Sequence, residues 1–333
     1  MISLTHVFKT YVVHQKKEGL KESIKSLFKR SYTYIPAVKD VSFTIKQGEL
    51  VGFIGPNGAG KTTTLKLLSG LLYPSEGKIE VLGFNPSNRD EKYLQQISLV
   101  MGQRNQLWWD LPAIETFLLH KDIYEISDTD FNQTLNELSH LLEVKDILRQ
   151  PVKNMSLGQR MKCEFIGSLL HKPKIVFLDE PTIGLDVVTQ RKVREFIKEY
   201  NKKYNATVIL TSHYMDDVKE ICNRLIIINH GSLLFDGELN TFVKQYANHK
   251  ILIPVFNSKV TKEELQRFGT VIEFEYPRAV ITIPHDKVSK IASELLATYE
   301  VDDLDINEPQ LEDIIHSLFG NEHLKKEEKK STI

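Results

Sequence analysis

The sequence predicts an α/β fold: a doubly wound, largely parallel sheet that carries a helical subdomain, followed by a small α+β domain. Three observations lead there. Gly55-Pro56-Asn57-Gly58-Ala59-Gly60-Lys61-Thr62 fits G-x-x-x-x-G-K-[ST], set between a buried-strand pattern at Glu49–Ile54 and a helix start at Thr63–Leu68. Ile175–Leu178, Thr207–Ser212 and Leu225–Ile228 are short apolar runs of the kind that fill the centre of a parallel sheet. Beyond about residue 247 the patterns follow the order βαββαβ, which suggests a ferredoxin-like sandwich.

Taken in order, residues 2–13 alternate apolar and polar side chains and read as an opening strand. Tyr11 near its end could stack on a nucleotide base or simply close a strand edge, and Tyr32 and Tyr34 are rivals for the stacking role. Within about 14–33, Leu20, Ile24, Leu27 and Phe28 share one helical stripe and the other faces are basic. Such a helix could lie at a membrane surface or partner, or dock on the protein's own core. Strand patterning resumes over 34–48 and again at Lys78–Gly83 and Ile97–Met101, the last ending near Gln103. A helical subdomain is expected over about 104–165. Trp108 and Trp109 open it, and buried packing of at least one competes with a role at the edge of a partner groove. Ser156 is an N-cap candidate for the helix that follows. The domain expectation is 1–246 for the first domain, 247–320 for the accessory domain and 321–333 for a charged, disordered tail.

Composition excludes several classes. The chain has 333 residues, 41% hydrophobic, with a net charge of −1, so it can bury a core and is no electrostatic nucleic-acid binder. No apolar run approaches the ~20 residues of a membrane span, and Met1–His6 lacks the regions of a signal peptide. A cytoplasmic protein is expected, held at a membrane only through a partner. Cys163 and Cys222 lack metal-ligand spacing and read as reduced, packed thiols.

The chemistry lies in residues at strand ends. Gly55, Pro56, Asn57, Gly58, Ala59, Gly60, Lys61, Thr62 and Thr63 form a phosphate cradle: glycines admit the phosphate, and loop amides with a helix N-terminus supply positive potential. Lys61 would reach the β- and γ-phosphates, and the Thr62 hydroxyl would sit on Mg²⁺. Asp179 ends an apolar strand at the edge where doubly wound sheets bind ligands, and would hold Mg²⁺, in part through water. Glu180 beside it can polarise an attacking water, Gln103 can reach the metal or that water, and His213 can bond the γ-phosphate.

These motifs, in this order, resemble those of an ATP-binding cassette (ABC) transporter ATPase subunit, a P-loop NTPase cassette. Gly55–Thr62 matches Walker A, Gln103 the Q-loop, and Met155-Ser156-Leu157-Gly158-Gln159 the signature. Phe177–Thr182 matches Walker B, Gly184-Leu185-Asp186 the D-loop, and Thr211-Ser212-His213 the H-loop. The likeness covers roughly residues 1–240. It implies ATP and Mg²⁺ as cofactors and a head-to-tail dimer with a second copy or a paralogous subunit. Ser156, Leu157, Gly158 and Gln159 of one subunit would then face the γ-phosphate held by Lys61 of the other. Leu157 stands where the usual L-S-G-G-Q has glycine, which is tolerable if its side chain faces away from the phosphate. Residues 12–33 and Asp305–Asp313 are similar to segments of exporters of polysaccharides and of drug- or antibiotic-like compounds. That branch implies membrane permease subunits as partners and a place on the cytoplasmic face of the membrane.

Two other functions compete with this one. A soluble ABC-type ATPase acting on ribosomes or DNA is disfavoured by the single cassette, the lack of a basic excess and the lack of zinc-ligand cysteines. A nucleotide-binding regulator without hydrolysis is disfavoured by Glu180.

Overall fold

The computed structural model describes residues 1–14, 32–102, 105–247, 249–315 and 318–319; the expected amphipathic helix and charged tail lie outside these. The chain divides into two compact units, Met1–Glu238 and Leu239–Ile333.

In the first unit β1 (Ile2–His14) and β2 (Tyr32–Ile45) pair antiparallel along their length. The buried strand β3 (Leu50–Ile54) leads through the glycine-rich loop into α1 (Lys61–Leu68). β4 (Glu76–Val81) returns to β1 and completes a three-stranded sheet, β2-β1-β4. The short α2 (Glu91–Leu94) precedes β5 (Ile97–Met101). The helical stretch then supplies α3 (Ala113–Ile123), α4 (Asp128–Leu141) and α5 (Leu157–Leu169). β6 (Ile175–Asp179), α6 (Val187–Tyr204), β7 (Thr207–Thr211) and α7 (Met215–Ile221) alternate as an α/β wind should. β8 (Arg224–Asn229) and β9 (Ser232–Glu238) close the unit as a hairpin.

The large sheet has the order β5-β6-β7-β3-β8-β9, parallel except for β9. β3, β6 and β7 are buried at every position, because a parallel sheet is covered on both faces. Alternation decides which side each residue serves. Val51, Phe53, Ile175, Phe177, Ile209, Ile226 and Ile228 join one core cluster with Leu65, Leu67 and Leu68 of α1 and the small sheet's Ile2, Leu4 and Val81. On the other face Gly52 leaves room for α7: a Cβ there would lie 2.8 Å from Val218 and 3.5 Å from the Cys222 sulfur. Cys163 and Cys222 are both buried and unpaired.

In the second unit α8 (Leu239–Tyr246) comes first, although the sequence reading assigns it to the preceding domain. β10 (His249–Phe256), α9 (Lys262–Leu265), β11 (Thr270–Glu275), β12 (Arg278–Pro284), α10 (Val288–Thr298) and β13 (Val301–Asn307) then give the order βαββαβ. The sheet is antiparallel with order β11-β12-β10-β13, over a core of Leu252, Phe256, Leu265, Ile281 and Leu295. No helix among the described residues is long and apolar enough to cross a membrane.

Candidate functional site

The strand order assembles the site. β5, β6, β7 and β3 are neighbours, so the segments following them emerge side by side at one sheet edge. Those segments begin at Gly102, at Glu180 just after Asp179 ends β6, at Ser212-His213 and at Gly55.

The loop from Gly55 to Gly60 is shaped by close backbone approach. A Cβ on Gly55 would lie 2.2 Å from the Ile228 carbonyl, and one on Gly60 2.4 Å from the Ala37 carbonyl. Gly60 also has φ +107°, a left-handed conformation that favours glycine. Lys61 opens α1 and is buried, its ammonium donating to the Gly55 carbonyl (2.7 Å) and the Pro56 carbonyl (3.2 Å). Burial pulls the Lys61 pKa below its ordinary value, while the carboxylates of Glu180 and Asp179 oppose that pull.

Asp179 collects hydroxyls. Thr62 Oγ1 donates to its Oδ2 at 2.9 Å, and Thr211 Oγ1 donates to its Oδ1 at 2.6 Å. Hard oxygen donors therefore meet at one point, the donor set that suits a small divalent cation. Glu180 follows with φ +53°, uncommon for a residue with a side chain. Its amide is held by the Thr211 carbonyl (3.0 Å) and hydroxyl (3.1 Å). Gly102 presses on its carbonyl, where a Cβ would lie 2.1 Å away. The Gly102 amide in turn donates to the Asp179 carbonyl at 2.9 Å. These contacts stabilise a backbone turn that costs about 1–3 kcal/mol when unsupported. The Glu180 carboxylate meets His213, Nε2 to Oε1, at 2.9 Å. Gln103 lies outside the described residues.

Tyr11 is half-buried, its hydroxyl 3.3 Å from Thr63 Oγ1 just behind the phosphate loop. Tyr11 pairs with Ile35, whereas Tyr34 pairs with Val12 and Tyr32 with His14. Strand alternation therefore puts Tyr32 and Tyr34 on the face opposite Tyr11.

The signature residues and Asp186 form a second group. Ser156 caps α5: its Oγ accepts from the Gln159 amide (3.2 Å), and Gln159 Oε1 accepts from the Ser156 amide (2.9 Å). Asp186 caps α6, accepting from the Thr189 amide (2.9 Å) and hydroxyl (2.7 Å). The two helix starts touch: a Cβ on Gly158 would lie 3.0 Å from Thr189 Cγ2. Leu157 directs its side chain toward Gly184, where a Cβ would lie 3.2 Å from its Cδ2. Val187 and Val188 are 77% and 66% exposed, an apolar start for a helix whose Val193, Phe196, Ile197 and Tyr200 are buried.

Trp108 and Trp109 are 49% and 48% exposed, so neither is the buried packing residue that the sequence left open. Trp109 instead lies under the Arg160 guanidinium, 5.3 Å from its ring centre.

Several residues that matter here gave no clear sequence signal. Asp217 is fully buried and accepts from Ser212 Oγ (2.7 Å), Arg194 Nε (2.7 Å) and the Thr182 hydroxyl. Arg194 also donates to Glu220 (2.7 Å) and Gln190 (3.2 Å), and Gln190 donates to the Leu185 carbonyl (3.1 Å). This network joins the residues flanking Glu180, His213 and Asp186. The one available hint was the acidic pair Asp216-Asp217 at the start of a helix, which reads equally well as dipole compensation. Thr211, two residues before His213, looks in the sequence like any strand threonine.

Residues 38–183 match the ABC transporter family, and residues 248–307 match the C-terminal domain of EvrA-like ABC transporters. The ABC transporter ATP-binding protein NatA of Bacillus subtilis (strain 168) is 32% identical over 228 residues, 68% of this chain and 92% of NatA. The linearmycin resistance ATP-binding protein LnrL of the same bacterium is 29% identical over 301 residues, 88% of this chain and 96% of LnrL. A dimeric, post-hydrolysis structure of the ATP-binding cassette MJ0796, bound to ADP and Pi, has a TM-score of 0.59 at 26% identity, covering 72% of this chain and 99% of that one. With a phosphate loop, a Walker B acid pair and a capped signature helix in one sequence, the chain belongs to the ABC transporter family, as an ATP-binding subunit and an ATPase.

Proposed function

We propose that the chain hydrolyses Mg-ATP as one half of a head-to-tail dimer and couples that hydrolysis to export through separate membrane permease subunits. The observation that carries this reading is the split of the site. Lys61, Thr62, Asp179, Glu180 and His213 meet at one sheet edge, while Ser156–Gln159 offer a separate helix start. A phosphate on the first group would gain from a second helix N-terminus that another subunit brings.

The roles follow from the contacts. Lys61 exchanges its loop carbonyls for phosphate oxygens and neutralises charge on the γ-phosphate. Thr62 and Asp179, with Gln103, would hold Mg²⁺, which when bound screens the β- and γ-phosphates. Glu180 orients a water and takes its proton, and His213 fixes the Glu180 carboxylate at 2.9 Å. Leu157 turns its side chain toward Gly184, which would keep it clear of the partner's phosphate.

The neighbourhood of Thr63 supports Tyr11 as the base-stacking residue. Stacking is worth about 1–3 kcal/mol per base, so Tyr11→Ala is expected to weaken ATP binding about tenfold. Tyr34→Ala should leave it within about twofold. Titration with a fluorescent ATP analogue checks this, and the reverse ranking would move the base to the other face.

The exporter assignment rests on the likeness to the linearmycin resistance protein LnrL. In this reading the subunit sits at the cytoplasmic face of the membrane, held there by its permease. Affinity purification from detergent-solubilised membranes is expected to recover a multispanning protein. Recovery of ribosomes or DNA in its place would overturn the transporter reading.

A further inference from the structure

The Asp179 carboxylate is held from two sides. Thr62 Oγ1, at the start of α1, donates to Oδ2 at 2.9 Å and lies 3.3 Å from Oδ1. Thr211 Oγ1, at the end of β7, donates to Oδ1 at 2.6 Å. The two hydroxyls differ in their surroundings: Thr62 is half-buried beside the phosphate loop, whereas Thr211 is 0% exposed. Bulk water therefore cannot replace the Thr211 hydroxyl if it is removed. The same hydroxyl accepts from the Glu180 amide at 3.1 Å, and the Thr211 carbonyl accepts from that amide at 3.0 Å.

A hydroxyl has one proton to give and lone pairs with which to receive. Here the proton goes to Asp179 and a lone pair to the Glu180 amide, so one oxygen fixes both members of the acid pair. The terminal torsion of an aspartate is broad, and a carboxylate bonded at neither oxygen swings about it. With Oδ1 pinned on the buried side, Oδ2 is kept on the Thr62 side, where a metal would be held. Thr62 cannot impose that choice, because its hydroxyl lies within reach of both oxygens. Thr211 can, because β-branching limits its rotamers and keeps Oγ1 in place. On the other side, Glu180 has φ +53° and its carboxylate meets His213 at 2.9 Å. Where its backbone is held decides where that carboxylate stands.

We propose that Thr211 is a positioning residue for ATP hydrolysis: its hydroxyl selects which Asp179 oxygen faces the metal and holds the Glu180 backbone in the turn that presents the base. The proposal rests on the Mg-ATP reading of the site. Thr211 is fully buried, so it acts through the two acids and not on the nucleotide. Valine at this position keeps the β-branched shape and the strand preference and removes the hydroxyl. Serine keeps the hydroxyl and removes only a methyl group.

The test compares full-length wild type, T211V, T211A and T211S. A fluorescent ATP analogue without divalent metal should bind all four within about twofold, because Lys61 and the loop amides are untouched. Mn²⁺ binding in the presence of ATP, read by electron paramagnetic resonance, should weaken by at least about tenfold in T211V, the size of a lost charge-assisted hydrogen bond. The kcat for hydrolysis should fall by at least about tenfold with it. T211A, with no γ-carbon to press on Asp179, should match T211V, and T211S should stay within about threefold of wild type in both measurements. The metal-free affinity reports that the phosphate loop is intact, so a weak Mn²⁺ site beside it is not general loosening. Wild-type Mn²⁺ binding or kcat in T211V and T211A, a T211S as defective as they are, or an equal loss of metal-free nucleotide binding would overturn the proposal. The Mg-ATP reading has its own control, wild type in excess chelator. Hydrolysis that persists there removes the metal from the site, and the role of Thr211 falls with it, whatever its variants do.

Discussion

Replacing Glu180 by Gln is expected to leave ATP binding intact, to hold the ATP-bound dimer together, and to slow hydrolysis by at least ~10²-fold. The side chain sits 2.9 Å from His213 Nε2 and beside the buried ammonium of Lys61. The amide keeps the size and can still pair with His213, but it cannot take a proton from water. It also removes a negative charge from the neighbourhood of the γ-phosphate, which favours the ATP-bound state over the free one. Phosphate release under saturating ATP, with gel filtration in parallel, measures both effects. A hydrolysis rate equal to wild type would show that Glu180 is not the base.

The second large effect is on stability. Asp217→Ala removes the buried one of the two carboxylates that Arg194 meets at 2.7 Å, leaving Glu220, and strands the Ser212 and Thr182 hydroxyls. Breaking one side of a buried ion pair costs about 3–5 kcal/mol, and the variant should show that loss as a lower urea midpoint with an unchanged slope. Removing both charges in Asp217→Leu/Arg194→Met should recover much of the loss, because two apolar side chains need no partner. Hydrolysis should not recover with it, since Ser212 precedes His213 and Thr182 lies two residues after Glu180. A double variant as unstable as Asp217→Ala would mean that the ion pair is not what holds these loops.

Much of the fold could be read because the local rules agreed with the global one. β3, β6 and β7 are buried on both faces, and a strand in that position must be apolar throughout. The βαββαβ order of the second unit was legible for a related reason: Leu252, Phe256, Ile281 and Ile283 recur at even spacing on inward faces. The tryptophans were not legible. Nothing in Trp108-Trp109 tells whether a neighbouring helix covers them, and the side that meets Arg160 is set by α5, half a hundred residues on. Tyr11, Tyr32 and Tyr34 were equivalent as letters; the β1–β2 register separates them by face.

The sequence by itself determined the chemistry. A glycine-rich loop, a lysine at the helix start, and carboxylates at the end of an apolar strand are local facts, dictated by backbone sterics and charge. What only the tertiary structure decided is how those parts are held. The strand order β5-β6-β7-β3 brings four chain segments to one edge. Asp217, unremarkable in the sequence, becomes the buried acceptor that ties Ser212 and Thr182 to α6. The reason is physical: a buried carboxylate is defined by the donors that surround it, and those donors come from distant parts of the chain.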